Sequence, residues 1–488
     1  MRHRALTTAG LCAAVVLGAV GLAPTASAGT PAGTSAGTAE KAPGGARPAV
    51  EGPDFNGDGR PDLAVGAHTA TVDGVKRAGA VTVAYGSAHG LTYDTAHILG
   101  QGTPGVPGEP VPDARWRAVS DYGDLDGDGY DDLVLHWLQK NMVLWGSKDG
   151  ITGAGTALPP GDYRADSPKL LGGGAGVGDV NGDGVDDFVS RGNNGLSYGV
   201  SVLLGPLNRE TGKPAGVWHR DSAKADELVI GTVYVGDLTG DGIDDVVASG
   251  GVVLGNGKPG GVVLKGSKDG LVKGDPFTGP RKLGTELPSA FGDLNKDGYQ
   301  DLVTGHPDRN QVYVTYGGPN GTGTTLKSRS YSQASAGVPG VDEAGDNFGS
   351  AVAVGDTDAD GYADLVVGAS YETGSDPVAT AKAGAVTVLR GGPSGITTEG
   401  ARTLTQNSKG VPSTSEADDH FGAAVAVTGA GGRPEVLVGG NGEDGFKGRV
   451  WRLPTGPGGV TGTGSTSFRL DTLGGPAGGG NFGYRMVG

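Results

Sequence analysis

The sequence contains almost no cysteine. Its single cysteine, Cys12, lies in an apolar stretch near the N-terminus and has no second cysteine to pair with. This excludes a disulfide framework and a zinc site built on thiolates. No two histidines stand at a metal-ligand spacing either, so the sequence gives no support to a zinc enzyme.

Aromatic residues make up 6% of the chain and hydrophobic residues 36%, which is little for one large hydrophobic core. Basic residues are also few. The 38 lysines and arginines are outnumbered by 54 aspartates and glutamates, and the formal net charge is −16. An acidic chain without a basic stripe is a poor partner for nucleic acid or for an anionic membrane.

The apolar stretch Ala9–Ala23 follows Arg2 and Arg4 and precedes the sequence Ala-Ser-Ala at 26–28. This is the pattern of a secretory signal with its cleavage site. We therefore expect residues 1–28 to be a signal peptide, not a membrane span, and the mature protein to be secreted and extracellular. Residues 29–48 are rich in glycine, alanine, threonine and proline and are expected to form a flexible linker.

Glycine is abundant, with 98 residues, and part of it belongs to an acidic nonapeptide that occurs six times. The copies begin 55 to 70 residues apart, a spacing typical of a repeat architecture. We number the copies loop 1 to loop 6 and their residues position 1 to position 9. The loops span residues 54–62, 124–132, 179–187, 237–245, 293–301 and 356–364.

Calcium coordination explains the pattern of the nonapeptide. Ca²⁺ takes about six to eight oxygen ligands, and a short loop supplies them from alternating residues, with glycine at the sharp turn. The expected ligands are the side chains at positions 1, 3, 5 and 9 and the backbone carbonyl at position 7. They are Asp54, Asn56, Asp58, Arg60 and Asp62; Asp124, Asp126, Asp128, Tyr130 and Asp132; Asp179, Asn181, Asp183, Val185 and Asp187; Asp237, Thr239, Asp241, Ile243 and Asp245; Asp293, Asn295, Asp297, Tyr299 and Asp301; and Asp356, Asp358, Asp360, Tyr362 and Asp364.

Loop 4 departs from the pattern because Thr239 replaces the carboxylate or amide at position 3, so we expect weaker binding there. The alternative is that all six are acidic turns between strands, since aspartate and glycine both tolerate left-handed backbone conformations. Because the same acidic spacing occurs in six copies, metal binding is favoured over simple turns. We expect about five to six Ca²⁺ sites with a structural role.

Strand-like segments flank the loops. Loop 6 is followed by the apolar run Leu365–Gly368 and then by Ala385–Leu389, and a hairpin signal at Gly146–Gly150 is repeated identically at Gly266–Gly270. An EF-hand would need an amphipathic helix on each side of the loop, and none is legible. The calcium loops are therefore expected to join strands.

With these features the chain resembles the FG-GAP repeats of integrin alpha-subunit heads and of related secreted bacterial proteins of the VCBS type. The resemblance rests on the segment Phe348–Gly355 before loop 6 and on Val367–Ser370 after it, with a weaker copy at His420–Val425. It implies an all-β fold over residues 49–488, a seven-bladed β-propeller with calcium loops between two strands of a blade.

Seven units can be counted. The seventh, Phe421–Val438, has a shorter loop at 429–435 that lacks the acidic ligands, so no metal is expected there. The segment Phe482–Gly488 looks like a first strand with no loop after it. We expect this C-terminal strand to complete the first blade, because a closed ring leaves no open sheet edge.

The resemblance implies extracellular recognition or adhesion through a protein or cell-surface ligand, without catalysis, by a monomer. Two alternatives remain open: a lectin-like, carbohydrate-binding propeller, and a hydrolase or lyase that acts on polysaccharide through carboxylates not used by calcium. Trp218, in a polar insertion, is the best candidate for an exposed aromatic contact.

Overall fold

Every strand in the described part of the chain belongs to one of seven four-stranded antiparallel sheets. The computed structural model describes residues 52–488 except 115, 117, 138–139, 159–168, 194–197, 253–258, 278–286, 324–325 and 430–432. These residues belong to the unit 44–488. The expected signal peptide 1–28, the linker 29–48 and part of the loop 429–435 lie outside the described residues. In the part that is described, no helix is long and apolar enough to cross a membrane.

The strands, in chain order, are β1 (Leu63–Ala67), β2 (Ala80–Tyr85), β3 (Thr92–Leu99), β4 (Ala118–Gly123), β5 (Asp132–Trp137), β6 (Lys140–Leu144), β7 (Gly155–Ala157), β8 (Lys169–Gly178), β9 (Asp187–Asn193), β10 (Tyr198–Leu204), β11 (Gly216–Arg220), β12 (Leu228–Gly236), β13 (Asp245–Val252), β14 (Pro259–Lys265), β15 (Val272–Pro276), β16 (Ser289–Gly292), β17 (Asp301–His306), β18 (Gln311–Thr315), β19 (Arg329–Tyr331), β20 (Phe348–Gly355), β21 (Asp364–Ala369), β22 (Ala385–Arg390), β23 (Thr397–Leu404), β24 (Phe421–Thr428), β25 (Glu435–Gly440), β26 (Arg449–Pro454), β27 (Thr466–Phe468) and β28 (Met486–Val487). The described helices are the four-residue α1 (Ser222–Ala225) and α2 (Glu443–Phe446) and the 3₁₀ turns Pro307–Arg309 and Asp471–Leu473.

The sheets form the seven blades of a β-propeller, as predicted. Blade 1 consists of β28, β1, β2 and β3 in hydrogen-bonding order. Blades 2 to 7 take the following strands in groups of four, from β4–β7 to β24–β27. In each blade we call these the first to fourth strands. The second strand is mostly buried, completely so in β21, whereas the fourth is more exposed, as in β23.

The first strands of neighbouring blades contact one another around the ring, for example β4 against β8 and β20 against β24. This close approach needs glycine at the end of the first strand. A Cβ placed on Gly355 would lie 2.6 Å from Cγ1 of Val427, and one on Gly292 would lie 2.4 Å from Cγ1 of Val354. The glycine before each of loops 2 to 6 therefore serves the contact between blades.

The hydrophobic core is divided among the junctions between blades. One cluster joins Phe55 of blade 1 to Trp116 of blade 2, and another joins Val386 of blade 6 to Trp451 of blade 7. Because each blade buries apolar residues against its neighbours, a chain with 36% hydrophobic residues can still fill its core. Trp218 packs half-buried against the cluster of blades 3 and 4, so it is less exposed than we expected.

In several blades a buried aromatic residue lies at or shortly before the start of the first strand and anchors it. Phe348, Phe421 and Phe482 are fully buried, and Trp116 is nearly so. The backbone N–H of Trp116 donates to the carbonyl of Ala78 at 2.8 Å, and that of Phe421 makes the equivalent bond to Ala383 at 2.8 Å. Trp116 therefore packs as the counterpart of the FG-GAP phenylalanine.

The C-terminal strand closes the ring, as predicted, although it is shorter than the segment 482–488. In β28, Met486 pairs with Val65 and Val487 with Ala64. Two further bonds extend the contact, because Gly66 N–H donates to the Arg485 carbonyl at 2.9 Å and Gly483 N–H donates to the Gly66 carbonyl at 3.2 Å.

Replacing Phe482 tests the importance of this closure. Phe482→Ala removes a fully buried ring from the cluster of blades 7 and 1, and we expect it to cost about 3 to 5 kcal/mol of stability. The neighbouring Tyr484 is 38% exposed, so Tyr484→Ala should cost less than about 1 kcal/mol. Urea denaturation of both variants measures the difference, and equal midpoints would show that closure does not depend on this anchor.

Candidate metal-binding loops

Each acidic loop is fastened by the carboxylate at position 9, which lies at the start of the second strand. In loop 1, Asp62 Oδ2 accepts the backbone N–H of Phe55 at 2.8 Å and Oδ1 accepts that of Gly86 at 2.8 Å. The same two bonds recur in all six loops, with the first donor at position 3 in loop 4. The second donors are Gly86, Gly146, Gly205, Gly266, Gly317 and Gly391, each at the start of the hairpin between the third and fourth strands.

The aspartates at positions 1 and 5 shape the turn. Asp54 Oδ1 accepts the N–H of Asp58 at 3.0 Å, and Oδ2 accepts that of Gly59 at 2.9 Å. In every loop the N–H at position 7 donates to the carboxylate at position 5. The glycine at position 6 has positive φ, as in Gly59 at 80° and Gly129 at 93°, which favours glycine there.

Loops 2 and 6 bring enough carboxylate oxygens together for a cation. Two oxygens that bind one Ca²⁺ at about 2.4 Å lie at most about 4.8 Å apart. Oxygens of Asp124, Asp126 and Asp128 lie within 4.8 Å of one another, and so do those of a second group, Asp356, Asp358 and Asp364. Within the described residues, Asp356 Oδ1 is also buried without a hydrogen-bond partner. A hard cation fits these donors.

The other four loops share this backbone path but carry three aspartates instead of four at the ligand positions. Loops 1, 3 and 5 have asparagine at position 3, and loop 4 has Thr239. The structure places the predicted side chains at positions 1, 3, 5 and 9 between a first and a second strand in loops 2 to 6, and ahead of the second strand β1 in loop 1. The assignment of these side chains, and of the carbonyl at position 7, as metal ligands stays a prediction.

Residues at position 8 make a contact that sequence reasoning missed. In loops 2 to 5 the side chain at position 8 accepts the backbone N–H of position 1 in the loop of the preceding blade. Asp186 Oδ2 accepts from Asp124 at 2.8 Å, and Asp244 Oδ2 accepts from Asp179 at 3.0 Å. Asp131 and Gln300 do the same for loops 1 and 4. The signal in the sequence is the Asp-Asp pair that ends loops 2, 3 and 4.

Position 2 makes a second contact between blades. Its side chain is buried in every loop. In loops 1, 2, 4 and 5 its carbonyl accepts an N–H from the hairpin between the third and fourth strands of the next blade. Leu125 accepts from Leu207 at 2.7 Å, and Leu294 accepts from Gly392 at 3.1 Å. The acidic loops are therefore joints between blades as well as turns within them.

Neighbouring loops also touch directly. A Cβ placed on Gly57 at position 4 of loop 1 would lie 2.7 Å from the ring of Tyr130, which is position 7 of loop 2. Gly182 would meet Ile243 of loop 4 at 2.9 Å in the same way. In loops 1 and 3, glycine at position 4 thus leaves room for the side chain at position 7 of the next loop.

Burial raises the pKa of several of these carboxyls. The pKa of Asp62 rises to about 8 and that of Asp301 to about 7, in both cases chiefly because the group is removed from water. Burial also raises the pKa of Asp244 to about 8, and the charge of Asp186 adds to the effect. The negative charges are costly in the folded chain unless a cation compensates them.

Substitutions at position 9 and at position 5 should have different effects on stability when no metal is present. Asp301 is fully buried and accepts two backbone N–H groups, so Asp301→Ala leaves both without their acceptor and should cost about 3 kcal/mol or more in calcium-free protein. The exposed Asp297 in the same loop is the matched control. Asp297→Ala should matter mainly when calcium is present. Urea denaturation with and without calcium measures both, and similar losses in calcium-free protein would contradict this division.

The raised pKa values predict the pH dependence of calcium-free protein. When folding raises the pKa of a carboxyl, the protonated group favours the folded chain. This contribution to stability is complete below the pKa of the unfolded chain, about 4, and is lost as the pH rises through the pKa of the folded chain. For Asp62, Asp244 and Asp301 that window runs from about pH 4 to about pH 8. Thermal unfolding of dialysed, calcium-free protein should therefore shift to lower temperature from pH 5 to pH 8, and a shift to higher temperature would contradict the account.

Comparison with known proteins agrees with this geometry. A model of the FG-GAP repeat matches residues 49–83 and 348–389, and one of an FG-GAP-like repeat matches residues 293–367. Integrin alpha pat-2 of Caenorhabditis elegans is 35% identical over 178 residues, which are 33% of this chain and 14% of that protein. The phosphatidylinositol-glycan-specific phospholipase D of Bos taurus is 40% identical over 102 residues, 19% of this chain and 11% of that protein.

Among solved structures, that of an Agrocybe aegerita lectin with specificity for non-reducing terminal N-acetylglucosamine aligns with a TM-score of 0.37 and 17% identity, covering 73% of this chain and 81% of the lectin chain. The matched segments span only a small part of the integrin and the phospholipase. The repeated acidic loops and the ring of seven blades agree with these matches: the chain carries FG-GAP repeats over the matched residues and is similar there to the integrin alpha subunits.

Proposed function

We propose that the six acidic loops bind calcium and that the ions stabilise the ring. The observation that carries this proposal is the convergence of three carboxylate oxygens in loop 2 and again in loop 6. Calcium would supply the positive charge that compensates the carboxylates of buried aspartates such as Asp62 and Asp301. About five to six ions are expected, with the weakest site in loop 4 because Thr239 offers a neutral hydroxyl.

We further propose that the protein is a secreted, monomeric propeller that recognises an extracellular protein or cell-surface ligand and catalyses no reaction. The pattern of a secretory signal at residues 1–28 and the similarity to an integrin alpha subunit support this proposal. Loops 2 to 6 join a first to a second strand and loop 1 leads into the second strand β1, so the acidic loops share one face of the ring. The opposite face, formed by the connections from the second to the third strand and between blades, is free to present a binding surface.

Calcium titration of the calcium-free mature protein, residues 29–488, tests the first proposal. Calorimetry should count about five to six ions, and thermal unfolding should move to higher temperature as they bind. Thr239→Asn gives loop 4 the amide found in loops 1, 3 and 5 and should tighten one weak site. No heat of binding and no change in unfolding temperature would mean that the acidic loops are turns only.

Binding assays test the second proposal. The immobilised mature protein should retain one or more purified extracellular matrix or cell-surface proteins in calcium, and lose them on chelation. A glycan array tests the lectin alternative in parallel, and retention of one glycan class without any protein ligand would favour that alternative. Release of oligosaccharides from a polysaccharide substrate would contradict the non-catalytic role.

A further inference from the structure

Two arginines from outside the acidic loops bind the loop carboxylates that a cation would use. The guanidinium of Arg209, on the hairpin between β10 and β11 of blade 3, donates to Asp126 and Asp128 of loop 2 in blade 2. Arg390, at the end of β22, pairs with Asp358 of loop 6 at 2.8 Å. Loops 2 and 6 are also the two loops in which three carboxylates converge.

The arginines occur where position 3 is an aspartate. Loops 1, 3, 4 and 5 have asparagine or threonine at that position. In loops 3 and 5 the asparagine itself donates to the position 5 carboxylate, with Asn181 at 3.1 Å from Asp183 and Asn295 at 2.8 Å from Asp297. An aspartate at position 3 cannot donate in this way when it is ionised. In loop 2, Arg209 from outside the loop supplies this donor to Asp128, and in loop 6, Arg390 donates to the position 3 carboxylate of Asp358.

The arginines bind the carboxylate oxygens that the loop backbone leaves available to a metal. In loop 2 the Oδ1 atoms of Asp126 and Asp128 accept backbone N–H groups at 3.2 and 3.1 Å, and the arginine takes Oδ2 of both. In loop 6, Asp358 Oδ1 accepts the N–H of Asp360 at 3.3 Å, and Arg390 takes Oδ2. A metal that takes these Oδ2 atoms would therefore have to displace the guanidinium.

Arg209 is held in place by more than charge. Its Nη2 also donates to the carbonyl of Gly146 at 3.2 Å, its guanidinium lies 5.5 Å from the centre of the Trp145 ring, and its own carbonyl accepts from Thr156. These contacts join the hairpin of blade 3 to blade 2. A bidentate guanidinium pair combines charge with fixed geometry.

We propose that Arg209 and Arg390 are built-in counter-cations that occupy the cation positions of loops 2 and 6 and must be displaced when calcium binds. The inference rests on the proposed calcium binding. It follows that these two loops keep their shape without calcium, and that they bind calcium more weakly than their four aspartates suggest.

Calorimetric titration of Arg209→Gln and Arg390→Gln in the mature protein tests the inference. In each variant one ion should bind about tenfold more tightly, since a competing cation has been removed. The calcium-free variants should unfold at lower temperature than the unaltered protein, whereas the proteins saturated with calcium should unfold alike. The control is Lys268→Ala, which removes one positive charge from an exposed hairpin of blade 4 and should change neither quantity.

A double substitution excludes a purely structural effect. Asp126→Asn converts loop 2 to the pattern of loops 3 and 5, and in that background Arg209→Gln should no longer tighten binding. Arg209→Lys keeps the charge without the paired donors and should give an intermediate affinity.

Weaker or unchanged calcium binding in both glutamine variants would overturn this inference and leave the proposed function intact. Absence of any calcium binding by the unaltered protein would overturn both.

Discussion

The structure depends on one repeated interaction, in which the buried aspartate at position 9 accepts two backbone N–H groups that the turn would otherwise leave unpaired. In loop 1, Asp62 ties the loop at Phe55 to the hairpin at Gly86. The hairpin of the next blade then bonds to the same loop, since Ser147 N–H donates to the Phe55 carbonyl at 3.2 Å. The carboxylate therefore fixes the turn of its own blade and presents the surface on which the next blade docks.

This arrangement places negative charge where neighbouring blades meet, and donor side chains in and around the loops interact with that charge. Where position 3 is aspartate, an arginine approaches; where it is asparagine in loops 3 and 5, the amide donates to its neighbour. At position 8, Asp131, Asp186 and Asp244 add further carboxylates next to the joints. A chain without disulfides thus concentrates its polar interactions where the blades meet. Calcium is the natural partner for the oxygens that remain.

The sequence was sufficient to predict the loops, the strands on each side of them and the closed ring. The loop pattern is local, so the spacing of Asp124, Asp126, Asp128 and Asp132 is visible without a structure. The contacts between blades were not predictable, because Asp186 and Asp124 are brought together only by the geometry of the ring. Nor did the sequence indicate that Arg209 reaches the loop of another blade. The position of the closing strand was predicted correctly, but the strand is shorter than the predicted segment. Beyond Met486–Val487 the pairing continues only as single hydrogen bonds at Arg485 and Gly483.

Hydrogen exchange followed by mass spectrometry, with and without calcium, tests most directly whether the acidic loops hold the blades to one another. The informative amides are those of Ser147, Gly318 and Gly392, which donate from one blade to loop 1, loop 4 or loop 5 of its neighbour. Removing calcium should increase their exchange much more than that of amides within β21 and β22, the central strands of one blade. Equal protection of the joints in both conditions would contradict the account, because the blades would then be held together without the metal.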